Sequence, residues 1–283
     1  MRTYADCYPC FLRQAIAAAR YAESDEIQLH TIIKEVLAVL QAQSNGVSPP
    51  EIGAVVHRVI REVLGIEDPY QNEKRKSTEK ALKIYPRLKA IMREHTDLET
   101  AVRISIAGNI IDLGISNAFD DLWETVQRVL YQPFAINDLD KFQEQLSYAN
   151  RLFFIGDNAG ETVFDRVLIE SLHIPVTYVV KGGPVLNDAT REDAMDAGLD
   201  QCSTIIRNGS DAPGTVLSLC SKEFRKRFES AGLIIAKGQG NYETLSDAGS
   251  HVFCMLQVKC PVISHDIGVP TGSIVIRQST NTC

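Results

Sequence analysis

Three short segments of this chain bring charged side chains, amides and glycines together at spacings suited to holding an anion or a hard cation. Gly156-Asp157-Asn158-Ala159-Gly160-Glu161 sets two oxygen-bearing side chains side by side among small residues that let a ligand approach the backbone. Lys181-Gly182-Gly183-Pro184-Val185-Leu186-Asn187-Asp188-Ala189-Thr190 offers a cation, a flexible glycine pair and a carboxylate. Lys237-Gly238-Gln239-Gly240-Asn241-Tyr242-Glu243 supplies a second cation and more glycines ahead of an expected helix. Asp157, Asn158 and Asp188 are hard oxygen donors without soft sulfur, a set that suits magnesium, manganese or a similar divalent ion better than structural zinc. Lys181 and Lys237 would balance phosphate oxygens, and a phosphate beside the first segment would also meet a helix N-terminus. Taken singly, each segment also reads as an ordinary turn or solvated loop.

The elements around them give these segments a common location. Leu152-Phe153-Phe154-Ile155 is a continuous apolar run of the kind that forms a buried parallel strand, and a helical pattern from Glu161 to Leu172 follows it. Val176–Val180, Ser203–Ile206, Leu233–Ala236 and His251–Met255 repeat the strand pattern, with helix-like stretches such as Val216 to Phe228 between them. Ligands of such sheets bind beyond the carboxyl ends of the strands, which is where all three segments fall. Glu161 and Asp165 lie four apart and share a helical face. Arg207-Asn208-Gly209-Ser210-Asp211 follows the third strand candidate, where Asp211 is read either as part of the substrate rim or as part of a plain turn.

The first half of the chain has a different period. Leu29, Ile32, Ile33, Val36, Leu37 and Leu40 recur three and four apart, as do Ile52, Val55, Val56, Val59, Ile60 and Val63 after Ser48-Pro49-Pro50-Glu51. Helices are expected through about residue 145, with Pro86 as a break or kink and Gly108-Asn109 as an interruption. The fold class is therefore α/β, a helical N-terminal region (1–148) packed on a three-layer Rossmann-like α/β/α domain (149–283).

Composition bounds the function. The 283 residues are 45% hydrophobic and 23% charged, ordinary values for a globular protein rather than a disordered or collagen-like one. A net charge of -7 works against a generic nucleic-acid polymer or anionic-membrane binder. No run approaches the roughly 18 apolar residues of a membrane span, and the first residues lack a signal peptide's apolar region, so a cytoplasmic location is expected. The seven cysteines, an odd number, read mostly as reduced thiols. Dinucleotide, P-loop, Gly-x-Ser-x-Gly and His-Glu-x-x-His signatures are missing from the sequence.

These segments, together with Cys7-Tyr8-Pro9-Cys10 and Ala107-Gly108-Asn109-Ile110-Ile111-Asp112, resemble the damage-control phosphatases, the ARMT-like family of metal-dependent phosphatases, in their stand-alone CxxC-containing branch. The resemblance spans most of the chain. It implies hydrolysis of small phosphate monoesters (sugar phosphates, damaged phosphometabolites or nucleotides) with a divalent cofactor, manganese, magnesium, cobalt or nickel. By the same resemblance Asp157, Asn158 and Asp188 are metal ligands, and Lys237 is the phosphate-binding lysine. Asp157, Lys237 and Glu161 are the catalytic candidates; Asn109, Asp112, Lys181, Asp211 and Lys237 are the substrate-binding ones. Asn109 and Asp112 either reach the cleft from one helical face or make buried hydrogen bonds between domains.

Cys7 and Cys10 have the spacing of half a zinc site or of a redox pair, without a second CxxC to complete a four-cysteine site. They leave two further readings open: a CxxC-centred zinc or redox protein, and a module that binds a phosphometabolite without turning it over.

Overall fold

A computed structural model describes residues 1–44, 46–110 and 119–280 of the protein. Its first three helices, α1 (Cys7–Tyr21), α2 (Glu26–Ala42) and α3 (Pro49–Leu64), enclose a small core that includes Phe11, Ile32, Val36, Ile52, Val56 and Ile60. The apolar spacing read in α2 and α3 supplies that core, and local chemistry fixes where each helix starts. Asp25 and Gln28 form a capping box on α2; Ser48 and Glu51 form another on α3, whose first turn accepts Pro49.

Two long helices follow, α4 (Gln71–Glu94) and α5 (Leu98–Ile110), then α6 (Phe119–Tyr131). Pro86 does not end α4 as the sequence suggests. The lost hydrogen bond is offset by burial on both sides of it, since Ala81, Ile84 and Leu88 on one face of α4 are fully buried. Gly108 does not interrupt α5 either. A Cβ there would stand 2.7 Å from the Cβ of Phe164, so glycine lets α5 lie close against a helix of the other half.

The remaining elements alternate: β1 (Phe134–Asn137), α7 (Leu139–Tyr148), β2 (Leu152–Ile155), α8 (Thr162–Ser171), β3 (Val176–Val180), α9 (Arg191–Asp196), β4 (Thr204–Arg207), α10 (Lys222–Glu229), β5 (Ile234–Lys237), α11 (Gly238–Leu245), β6 (Val252–Gln257), α12 (Pro261–Ile267) and β7 (Ile274–Gln278). The strands form one sheet in the order β1-β7-β6-β5-β2-β3-β4, parallel except for the β6–β7 pair. β1 lies in a stretch read as helical, and β7 matches no run singled out in the sequence. Val216 to Phe228, read as one helix, is a short 3₁₀ turn (Leu217–Leu219) followed by α10.

Strand alternation divides the interior into two cores. Leu152, Phe154, Tyr178 and Ile235 face the layer made by α4, α5, α6 and α8, while Phe153, Ile155, Val179 and Ile234 face α10, α11 and α12. With both faces covered, the strands are apolar on both sides. β2 lies between β3 and β5, and the chain runs outward from it in both directions. That reversal opens a crevice at the carboxyl ends of β2 and β5. No helix among the described residues is long and apolar enough to cross a membrane.

Candidate active site

The loops after β2 and β3 are joined by their backbones. Ala159 N donates to Asn187 O at 2.9 Å, Ala189 N donates to Asp157 O at 2.7 Å, and Asn158 and Asp188 form an antiparallel bridge. Asp188 is thereby set beside the adjacent pair Asp157 and Asn158. Leu186, two residues before Asp188, has φ 48°, a left-handed conformation that costs a branched residue on the order of 1–3 kcal/mol. It is held there by packing against the α1–α3 core. Gly238, φ 80°, begins α11 directly beneath Asp157, and a Cβ at that position would lie 1.8 Å from Asp157 Oδ2.

Behind this pair lies a buried polar network. Asn109 Nδ2 donates to Asp157 Oδ2 and to Glu161 Oε2, both at 3.0 Å, and Asn109 Oδ1 accepts from Gln257 N at 3.2 Å. Asn158 Nδ2 donates to the same two carboxylate oxygens at 3.2 and 3.3 Å, which leaves its oxygen as the atom able to meet a cation. Lys237 Nζ donates to Glu161 Oε1 at 2.5 Å, Asp165 Oδ1 at 2.6 Å and Ser105 O at 3.0 Å. Ser105 Oγ and Tyr178 OH donate to the two oxygens of Asp165 at 2.6 and 2.8 Å. Asn241 Nδ2 ties Gly156 O to Lys237 O, so the ends of β2 and β5 are fastened together. Lys181 Nζ lies 3.1 Å from Asp188 Oδ2 and also donates to Gly214 O.

Charge at this edge does not balance. Four carboxylates, Asp157, Glu161, Asp165 and Asp188, surround two ammonium groups, Lys181 and Lys237, and all six residues are buried. Burial pushes Asp157 well above the ordinary carboxylate range, and the neighbouring Asp188 and Glu161 push it further. Asp165 is raised to about 6, by burial first, with Lys237 pulling the other way. Lys237 stays protonated: burial lowers its pKa, and Asp165 and Glu161 together more than reverse that. An oxygen-donor set carrying excess negative charge is chemically fitted to a hard divalent cation at Asp157, Asn158 and Asp188. Among the described residues no three His, Cys, Asp or Glu side chains converge on one point; the set here is two carboxylates and an amide.

Asp157, Asn158 and Asp188 line a cavity of about 430 Å³ between the sheet edge and the first and third helices. Cys7, Cys10 and Cys260 line it too, all as free thiols, and burial raises the pKa of both Cys7 and Cys10.

The structure places the other sequence candidates less uniformly. Glu161 and Asn109 join the network directly beneath Asp157. Lys237, expected to bind phosphate, does not line the cavity, and its three N–H bonds go to two carboxylates and a carbonyl. Asp211, read as part of the substrate rim or of a plain turn, is clamped by Arg58 and Arg61 of α3; Arg58 Nε reaches its Oδ2 at 2.8 Å and Arg61 Nη2 the same oxygen at 2.6 Å. These guanidinium groups hold the Asp211 carboxyl below its usual range despite its burial. Asp112 lies outside the described residues. Sequence reasoning noted Asp165 without a role and missed Ser105, Lys259 and the Arg58–Arg61 clamp. Strand alternation carried a usable signal for Lys237, because Ile235 and Lys237 fall on the same face of β5.

A helical cap over the carboxyl edge of a mostly parallel sheet, with buried acids at the point where strand order reverses, defines a capped α/β protein with a strand-end cleft. Residues 3–275 match the family model of the damage-control phosphatase ARMT1-like domain, and the chain belongs to that family. It is 34% identical over 285 residues to damage-control phosphatase PH1575 of Pyrococcus horikoshii, covering 99% of both chains. It is 33% identical over 282 residues to a damage-control phosphatase of Archaeoglobus fulgidus, covering 96% of this chain and 97% of that one. Protein MJ0202 of Methanocaldococcus jannaschii is 36% identical over 286 residues. The crystal structure of the DUF89 family protein PH1575 superposes with a TM-score of 0.91 at 32% identity, covering 99% of this chain and all of that one.

Proposed function

We propose that the protein is a divalent-metal-dependent phosphatase acting on small phosphate monoesters: sugar phosphates, damaged phosphometabolites or nucleotides. Family membership supports the phosphatase activity. The observation that carries the rest is the excess of buried carboxylate at the cavity floor, where Asp157, Asn158 and Asp188 would hold magnesium, manganese, cobalt or nickel. When bound, such a cation neutralises phosphate oxygens and lowers the pKa of water.

The chain's own residues then have separable tasks. Asn109 and Asn158 orient the Asp157 and Glu161 carboxylates through their amide N–H groups. Lys237 holds Glu161 and Asp165 in place through its N–H donors, which makes it a positioning residue. Lys181 holds Asp188 in place. Glu161, anchored by three donors, restrains Asp157 for either of two routes: activation of a water molecule, or direct attack by Asp157 to give an acyl phosphate. Rapid-quench labelling separates the two, because only the second leaves phosphate on the protein.

The primary test is phosphate release from a panel of sugar phosphates and nucleotides, with metal stripped and then restored as magnesium, manganese, cobalt or nickel, alongside Asp188→Ala. Turnover that needs metal and falls at least about 100-fold in the variant is expected, provided circular dichroism shows that the variant folds. Metal-independent turnover, or a fully active Asp188→Ala protein, would sink this reading.

A further inference from the structure

Arg13 and Lys259 are the cationic side chains lining the cavity among the described residues. Lys237 and Lys181 lie beneath its floor, buried and committed to carboxylates. The two lining cations come from opposite sides. Lys259 follows β6 on the sheet side and lines the cavity together with Asp157 and Asp188. Arg13 is exposed on the face of α1 that also carries Cys10 and Gln14, next to the Cys10 thiol. No carboxylate among the described residues stands within 4.0 Å of its guanidinium, whereas Arg58 and Arg61 of the same cap are both taken up by Asp211. A cavity of about 430 Å³ is at the small end of the range for ligand sites, so an occupant reaching the Asp157 floor also comes near the cap wall.

We propose that the cavity selects small phosphate monoesters that carry a second anionic group, Lys259 gripping the phosphate and Arg13 the second anion. The inference rests on the phosphatase reading above and adds the substrate class to it. A guanidinium is the side chain best matched to a carboxylate or a second phosphate, through paired N–H donors in one plane. The lysine, a point charge, lines the same cavity as Asp157 and suits a phosphate oxygen. Singly charged esters of the same size would leave Arg13 without an anion and bind more weakly.

The test compares glycerol 3-phosphate with 3-phosphoglycerate, which share a three-carbon frame and differ by one carboxylate. KM comes from metal-supported phosphate release, and Kd from calorimetry on the full chain with magnesium. Wild type should favour 3-phosphoglycerate by about tenfold in both quantities, the size expected of one charge-assisted contact. Arg13→Met should bring that ratio close to one. Lys259→Met should raise KM for both esters by about tenfold with a smaller change in kcat, and Lys259→Arg should recover most of the loss. Equal KM and Kd for the two esters in wild type, or a ratio unchanged in Arg13→Met, would overturn the inference and leave the phosphatase reading intact. Failure to release phosphate from any ester with any metal would overturn the phosphatase reading, while the calorimetric ratio would still decide the selectivity.

Discussion

Two clusters of opposite charges stand at the same edge of the sheet and behave as different materials. Lys237, Glu161 and Asp165 are fully buried, and every polar hydrogen of the lysine is matched. The clamp of Arg58, Arg61 and Asp211 lies at the rim, with the Arg58 side chain 44% exposed and Asp211 21%. Water can replace a partner at the rim and cannot do so in the buried cluster. A buried ion pair adds little to stability over an apolar substitute, yet losing one member strands the others in a medium that cannot solvate them. The difference shows that a lysine or aspartate beside a glycine-rich turn signals placement at a strand end, while its job depends on which way the strand turns it.

Lys237→Met offers the hardest strain on this contrast. Two buried carboxylates would lose their cation, and thermal or urea unfolding should show a loss of about 3–5 kcal/mol. A melting temperature within a degree or two of wild type would erase the distinction between the clusters. Gly238→Ala probes the same floor from beneath Asp157. An alanine with φ near 80° costs ~1–2 kcal/mol, and its Cβ displaces the Asp157 carboxylate, so metal-supported phosphate release should fall further than stability does.

Glu243 tests the middle ground. Burial raises its pKa to about 7, partly opposed by a hydrogen bond from Gln239 and by the terminal amine. Between about 4.5 and 7 the folded chain therefore holds a proton that the unfolded chain has released, and stability from this group falls as pH rises through that window. Glu243→Gln should flatten the fall and stabilise the protein by ~1 kcal/mol at pH 8, a figure reduced for the group's partial exposure. Melting curves at pH 5, 6, 7 and 8 on both proteins would show it. Arg58→Ala should have the smallest effect, under about 1 kcal/mol, because Arg61 keeps its own contact with Asp211. A larger loss would mean that the rim clamp behaves like the buried cluster.

Much of this arrangement could be read from residue order, for identifiable reasons. β2, β3 and β5 are continuous apolar runs ending in Gly156-Asp157, Lys181-Gly182 and Lys237-Gly238, so three loops on one edge followed directly from pattern. β1 and β7 are as long as β2, β3 and β5, and escaped because no glycine-rich segment follows either to mark its end. Pro86 misled because local propensity favours a break and tertiary burial of Ile84 and Leu88 overrides it. Lys259 escaped because it stands next to a cysteine and belongs to no glycine-rich segment; only folding brings it to the cavity that Asp157 lines. Asp211 was legible only as a rim or turn residue after a strand, because the arginines that clamp it are some 150 residues away.

The loop that carries Asp188 has two owners. Arg61 holds the carbonyl of Pro184 and the cap core grips Leu186, while the β2 loop fixes Asn187 and Ala189 by their backbones. A lever with both ends pinned transmits any tilt, so looseness in the cap reaches the Asp188 carboxylate through two peptide units. Wear in the small helical core, from a truncated Val56 or Ile60, would thus surface first as a blurred Asp188 position at the sheet and only later as lost fold.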